Sequence, residues 1–219
     1  MADSMRTPGT EIALPEPDRT GSTPVETALA ERRSRREFEP GPISLEELNQ
    51  LVWAAQGQTH PDGLRTAPSA GATYPLVVRV AVGDGGVPEL DPGVYRYEPG
   101  DHALAFESSE VIQPALRRAA YDQEWVEEAP IVLGIAGVEE RTAREYGERA
   151  GDLYVPMEAG HAGENVHLQV EALGLSTVSV GGFDDEAVAE AFDLEEARPL
   201  VMYPIGRRVS DEADGSDSR

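Results

Sequence analysis

This sequence predicts an α+β fold in which helices flank a central, mixed β-sheet. Three observations carry the prediction. Apolar, β-branched runs at Leu76–Val82, Ile131–Ala136 and Leu200–Ile205 read as strands. Segments with helical spacing lie among them without the strict alternation of a doubly wound sheet. With 40% apolar residues in 219, the chain has enough core for one domain.

Residues 1–23 contain Pro8, Pro15, Pro17, Gly9 and Gly21 without periodicity and are expected to form a flexible arm. The domain proper is expected over 24–209, followed by an acidic, serine-rich disordered tail over 210–219. Pro24 suits the first turn of a short helix reaching Arg33. Ser44-Leu45-Glu46-Glu47 is a capping-box pattern, after which Leu45, Leu48, Leu51, Val52 and Ala55 recur at helical spacing up to Gly57. Thr59 to Tyr74 is rich in proline, glycine and small polar residues and reads as loop. Val94–Tyr97 and Ala103–Phe106, separated by Pro99-Gly100-Asp101, read as a hairpin. Pro114–Ala120 and the segment around Trp125 are expected to be helical. Ile131–Ala136 is apolar throughout, as a strand buried on both faces would be. Glu139–Arg149 is a polar helix, and Met157–Leu173 is the longest helix, with small residues at Ala159, Gly160, Ala162 and Gly163. Leu175–Val180 reads as a strand ending in Gly181-Gly182, Asp184–Phe192 as a helix, and the last strand delivers Gly206-Arg207-Arg208.

The charge narrows the function. Forty-one carboxylates oppose eighteen arginines, no lysine is present, and the formal net charge is −23. Such a surface repels nucleic acid and anionic membranes and resembles that of proteins kept hydrated in concentrated salt. There is no cysteine, so disulfides, thiolate chemistry and cysteine-bound metals are excluded. No apolar run is long enough for a membrane span or a signal peptide, so a cytoplasmic location is expected.

Against that background, Arg32-Arg33-Ser34-Arg35-Arg36 places four arginines in five positions. A cationic cluster in so acidic a chain points to a fixed anion, and the guanidinium fork suits a phosphate; cations complementing a helix C-terminus are the plainer reading. Arg207 and Arg208 form a second cationic pair. Two turns of small residues lie between them, Pro68-Ser69-Ala70-Gly71-Ala72 and Gly181-Gly182-Phe183. Two cationic patches and two turns that permit close backbone approach suit a flat, phosphorylated ligand. No Gly-x-Gly-x-x-Gly, P-loop lysine, Gly-x-Ser-x-Gly or His pair at i, i+4 is present.

Taken together, these residues resemble the FMN-dependent nitroreductase superfamily. Its opening motif is matched by Arg32, Arg33, Ser34, Arg36 and Phe38, and its next helix end by Trp53-Ala54-Ala55-Gln56-Gly57. The loop from Pro68 to Pro75 and the Glu158-Ala159-Gly160-His161 helix ending its motif at Asn165 resemble the SagB-type dehydrogenase branch. Gly181-Gly182-Phe183-Asp184-Asp185 and Pro204-Ile205-Gly206-Arg207 complete the pattern, which covers about residues 25–209.

The resemblance implies a nitroreductase-like homodimer with a long interface helix and FMN at the subunit interface. Arg32, Arg33, Ser34 and Arg207 would hold phosphate and ribityl, with Arg208 beside them. Arg36 would approach the pyrimidine edge, where a cation offsets charge gained on reduction. Gly181 and Gly182 would bring backbone to the reactive edge of the ring, and Pro68, Ser69, Ala70, Gly71 and Ala72 would come from the other subunit. Azoline-oxidising members of the branch carry a Lys-Tyr pair that here stands as Glu145-Tyr146. An ionised glutamate only accepts hydrogen bonds, so it replaces the ammonium group only as a base with a pKa raised by burial. The expected function is an FMN-dependent oxidoreductase acting on a small or peptide-derived substrate, with Tyr146 and Glu145 on the substrate side. One rival is an NAD(P)H-dependent nitro or quinone reductase; the other is a non-catalytic partner in a multienzyme complex.

Overall fold

The computed structural model describes residues 6–210. The tail predicted over 210–219 therefore lies outside the described residues apart from Ser210, whose backbone N–H and hydroxyl both donate to Glu39. An eight-stranded sheet runs in the order β1-β5-β4-β3-β6-β8-β2, with β7 also on β8. The strands are β1 Glu11–Ala13, β2 Phe38–Glu39, β3 Leu76–Val82, β4 Gly93–Glu98, β5 Ala103–Ser108, β6 Ile131–Gly137, β7 Leu175–Thr177 and β8 Arg198–Arg208. All the pairings between these strands are antiparallel, so the sheet is uniform where a mixed one was expected. The α+β class and the flanking helices are as predicted.

The helices divide between the two faces. On one face lie α2 (Leu45–Gln56) and α6 (Val155–Ala172), packing Leu48, Leu51, Val52, Ala159, Ala162 and Val166 against Val78, Val80 and Leu133. On the other lie α3 (Gln113–Ala119), α4 (Glu124–Glu128) and α7 (Asp185–Ala191), packing Leu116, Val126, Val188 and the following Phe192 against Ala81 and Val132. Strand β6 is buried along its whole length because consecutive residues feed the two cores, which explains its unbroken apolar run. The capping box at α2 forms as read: Ser44 Oγ accepts from Glu47 N at 3.2 Å, and Glu47 Oε2 accepts from Ser44 N at 2.8 Å. The short helix α1 (Val25–Glu31) packs against α6, and α5 (Glu139–Tyr146) packs against the turn at Ala150–Tyr154 that leads into α6.

The arm predicted over 1–23 departs from expectation. Glu11–Ala13 pairs with Ala103–Ala105 as an edge strand, and Leu14 is buried. The small residues of α6 also divide. Ala159, Ala162 and Gly163 are buried within the chain, whereas Gly160 is exposed and open, beside exposed Met157. A Cβ at Gly163 would collide with the Tyr203 hydroxyl. Gly163→Ala is therefore expected to destabilise the fold by about 1–3 kcal/mol, since the ring has to shift inside a packed core. Urea denaturation of the variant measures this, and an unchanged midpoint would show that Tyr203 has room to move.

Candidate active site

The helix α1 stops at Arg32, whose φ of −50° and ψ of 124° leave the helical region. The following loop is held by Arg35, not by its neighbours. Arg35 N donates to Thr177 O at 2.8 Å, and its Nη1 donates to Glu171 Oε2 at 2.8 Å. Glu171 Oε1 pairs with Arg208 Nη1, also at 2.8 Å. Burial pushes the Glu171 carboxyl up, but hydrogen bonds and charge from Arg35 and Arg208 outweigh it and hold the group below its ordinary value. Arg33, Ser34 and Arg36 are exposed, whereas Arg32, like Arg35, is half-buried. No ion pair within 4.0 Å engages Arg32, Arg33 or Arg36 among the described residues. Arg33 folds back onto the carbonyls of Ala30 and Arg32, and Arg36 lies over the Trp125 ring at 5.4 Å.

The second cationic pair behaves otherwise. Arg207 Nη1 and Nη2 each reach Glu47 at 2.6 Å, and Nε donates to Pro42 O at 2.8 Å. Arg208 donates to Leu175 O from Nε and Nη2 and pairs with Glu171. Both guanidinium groups are engaged by intrachain partners. Arg207 ties β8 to the N-terminus of α2, and Arg208 ties it to α6.

The Gly181-Gly182 turn borders the segment that carries Trp125, over which Arg36 lies. Val180 and Met202 exchange backbone hydrogen bonds at 2.8 and 2.9 Å just before it. Gly182 O accepts from Gln123 Nε2 at 3.2 Å, next to the helix that carries Trp125. Neither glycine has a left-handed φ, and a Cβ on either would meet nothing within 4 Å. Their use is therefore not a strained turn but an open face that a side chain would fill. His167 adjoins the same region: it hydrogen-bonds Ser179 Oγ at 2.9 Å and meets Tyr203 edge-on. Burial first, and the Arg32 charge second, lower its pKa to about 4, so the ring is neutral at pH 7. His167 and Ser179 carried no role in the sequence reading. A polar residue four positions after Gly163, on the buried stripe of α6, was the available signal.

A second constellation lies toward the other end of α6. Gly71, Ala72 and Tyr74 all have positive φ, at 59°, 53° and 45°, so the predicted loop is a tightly bent turn. Ser69 Oγ accepts from Tyr74 N at 2.9 Å and stabilises it. Thr73 bonds Thr142 at 2.8 Å, and Arg141 Nη1 donates to Tyr74 O at 3.2 Å, which fastens the turn to α5. Tyr146 packs over Gly71, where even a Cβ would come within 2.9 Å of its hydroxyl. Pro68, Ser69, Ala70, Gly71 and Ala72 are thus brought together with Tyr146. Glu145 is exposed in this chain.

The buried carboxyl here belongs to Glu158 instead. It is 3% exposed, and burial raises its pKa to about 7 against the opposing effects of the Ser69 hydroxyl and the Arg65 guanidinium. Glu158 and His167 are nine residues apart on one helix, or roughly 13 Å along its axis. Arg32, near His167, and Ser69, near Glu158, therefore lie toward opposite ends of α6.

Helix-flanked antiparallel sheet, free arginine loop and open double-glycine turn together define a class. Residues 29–207 match the model of the Nitroreductase family. A nitroreductase-family protein of Methanocaldococcus jannaschii is 43% identical over 209 residues, covering 95% of this chain and all of the other. A nitroreductase-family crystal structure from Ralstonia eutropha JMP134 superposes with a TM-score of 0.79 at 31% identity, covering 93% of this chain and 94% of that one. The NADPH:FMN oxidoreductase of Vibrio harveyi, complexed with NAD+, has a TM-score of 0.60 at 20% identity, covering 85% of this chain and 69% of that one, and shares the fold. The chain belongs to the nitroreductase family. No helix among the described residues is long and apolar enough to cross a membrane.

Proposed function

We propose that this chain is an FMN-dependent oxidoreductase of the SagB-type branch, assembled as a homodimer. The observation that carries the proposal is the clustering of Arg32, Arg33 and Arg36, none with a carboxylate partner, in a chain of net charge −23 that also holds an open glycine turn. Carboxylates are abundant enough to neutralise Arg35, Arg207 and Arg208. Leaving Arg32, Arg33 and Arg36 unpaired fits an anionic ligand there.

The residues present fit FMN. Arg32, with Arg33 and Ser34, would hold the phosphate and ribityl, and Arg36 would face the pyrimidine edge. Gly181 and Gly182 leave space for a flat ring against backbone. The cofactor, when bound, supplies an acceptor and donor of hydride. Arg32 and Ser69 lie apart in one chain, so a second copy with its α6 running antiparallel would bring its Pro68–Ala72 turn and Tyr146 to the first copy's arginines. The outer face of α6 at Gly160 and Met157 permits such an approach.

Glu145 in place of the lysine, and exposed, speaks against azoline oxidation and favours a reading in which NAD(P)H reduces the site and a nitro or quinone compound drains it. Both readings keep FMN. The absorbance spectrum of purified protein tests them together: flavin bands are expected, and protein that stays colourless after FMN is added would leave the non-catalytic rival. Light scattering should find a dimer at micromolar protein, and a flavin-loaded monomer would refute the shared site.

Tyr146 brings a phenol hydroxyl against the Gly71 turn. Tyr146→Phe is expected to preserve FMN content and fold while lowering substrate turnover about tenfold or more, as loss of a general acid–base group does. Wild-type turnover in that variant would make the tyrosine a packing residue for Gly71.

A further inference from the structure

The Tyr146 ring belongs to a stack of four groups drawn from three segments. A Cβ on Gly71 would lie 2.9 Å from the Tyr146 hydroxyl and 3.2 Å from Cε2, so the turn is in contact with the ring. Tyr154 packs on the same ring, with centroids 4.8 Å apart and planes inclined at 51°. Arg149 places its guanidinium carbon 5.7 Å from the Tyr154 centroid. Tilted aromatic pairs and an arginine over a ring are both favourable arrangements. The order is therefore Gly71, Tyr146, Tyr154, Arg149.

The backbone explains why Tyr154 takes this place. Tyr146 is the last residue of α5, and Gly147 leaves the helix at a φ of 60°. The helical neighbours that would cover the ring at i+3 and i+4 are therefore missing. Tyr154 replaces them from the end of a wide, π-helical turn, Ala150–Tyr154, by which the chain enters α6. Such turns are rare and recur at functional sites. Arg198 of β8 fixes this one: its Nη2 donates to Gly151 O at 3.2 Å, and its Nε pairs with Glu139 of α5 at 2.9 Å. One arginine thus ties the element that carries Tyr154 to the element that carries Tyr146. The ring is held while its hydroxyl stays available. The hydroxyls of Tyr95 and Tyr97 bond to Asp91 O and His102 Nδ1, whereas among the described residues no hydrogen bond takes up that of Tyr146.

We propose that Tyr154 is a positioning residue for Tyr146, holding its hydroxyl at the Pro68–Ala72 turn for proton transfer with the substrate. The proposal rests on the reading that Tyr146 handles a proton at a flavin site. For a nitroarene, conversion to the nitroso compound takes a hydride and one further proton, one N–O bond breaks, and the oxygen leaves as water. The Tyr146 hydroxyl gives that proton to the nitro oxygen and recovers one from solvent. Proton transfer of this kind depends on placement to within about 1 Å. Tyr146 touches the substrate, and Tyr154 acts through it. The rate lost with Tyr154 is therefore bounded by the rate lost with the Tyr146 hydroxyl.

That bound makes a double-mutant cycle decisive. The full chain loaded with FMN is photoreduced and mixed anaerobically with 4-nitrobenzoate, and its reoxidation rate is measured. Tyr154→Leu, which removes the ring and keeps apolar bulk, should lower the saturating rate about tenfold, as Tyr146→Phe does. The half-saturating concentration should change less than about threefold. In a Tyr146→Phe background the same substitution should change the rate less than about twofold, because the group it positions is already gone. Tyr154→Phe, which keeps the stack, should restore the wild-type rate. Arg198→Ala, which keeps both rings and frees the turn, should show a smaller loss that also vanishes in Tyr146→Phe, and it carries the cycle if Tyr154→Leu does not fold. Hydrogen exchange gives a readout independent of flavin. The amides of Ala72, Thr73 and Tyr74 are bonded within the Gly71 turn. In Tyr154→Leu they should exchange about tenfold faster than in wild type or Tyr154→Phe. A wild-type rate in Tyr154→Leu, or equal losses in both backgrounds, overturns the positioning alone. A wild-type rate in Tyr146→Phe removes the role of Tyr146 and the positioning with it. Wild-type protein that binds no FMN overturns the functional reading and, through it, this inference.

Discussion

Flavin affinity is expected to fall by roughly 10²–10⁴-fold when Arg32 and Arg36 are both replaced by alanine. Each charge-assisted hydrogen bond contributes about 1.5–3 kcal/mol, and a factor of ten in Kd corresponds to about 1.4 kcal/mol. Both residues are at least partly exposed, with no acidic side chain within ion-pair distance among the described residues, so their removal takes away ligand contacts with little effect on the fold. Fluorescence quenching of FMN titrated with apoprotein measures the change. Arg207→Ala provides the contrast. Its guanidinium is held by Glu47 and Pro42, so this variant should lose stability while its flavin Kd stays within about threefold of wild type. If Arg207→Ala releases FMN and the Arg32/Arg36 pair retains it, the division of the cations drawn from their partners is wrong.

The elements legible in the sequence are those whose local pattern and burial agree. The strand at Leu76–Val82, the capped helix after Ser44 and the long helix near Met157–Leu173 all form close to their predicted bounds. Their apolar residues repeat with the period of the element. The edge strands Glu11–Ala13 and Phe38–Glu39 have three and two residues, too few to show any period, and exist because an existing sheet offers them partners. The uniformly antiparallel sheet was hidden for a related reason: mixed element order does not reveal strand direction. The cationic motif was legible as a cluster, but the duties of its members were not. Arg35 and Arg36 are adjacent, yet one reaches Glu171 at 136 positions' separation and the other reaches Trp125. Likewise the Arg207–Glu47 pair spans 160 positions, and no local pattern distinguishes an arginine waiting for a phosphate from one already paired. Glu158 was legible as part of a motif, whereas its burial, at 3% exposure, was not.

The expected effect of Glu171→Ala is a loss of about 3 kcal/mol of stability, with the Arg32–Arg36 loop loosened at the same time. Glu171 is the point where three elements meet. It receives Arg35 from the loop after α1 and Arg208 from β8, while its own backbone belongs to α6. Removing one member of a buried ion network leaves the remaining charges without partners, which typically costs about 3–5 kcal/mol. The lower end applies because the Arg35 and Arg208 side chains retain 28% and 24% of their exposure and can recover some hydration. The pH dependence follows from the lowered pKa of this carboxyl. A carboxylate with a folded pKa below its unfolded value binds fewer protons in the native state. Its contribution is therefore complete above the unfolded value, near 4.5, and disappears as pH falls through the folded value. Urea denaturation at pH 7 should separate Glu171→Ala from wild type by the full amount, and the separation should narrow in acid below about pH 4. The same variant should weaken FMN binding, because Arg35 no longer holds the loop that presents Arg32 and Arg36. A variant as stable as wild type at pH 7 would show that Thr177, through its carbonyl bond to Arg35 N at 2.8 Å, anchors the loop without help from Glu171.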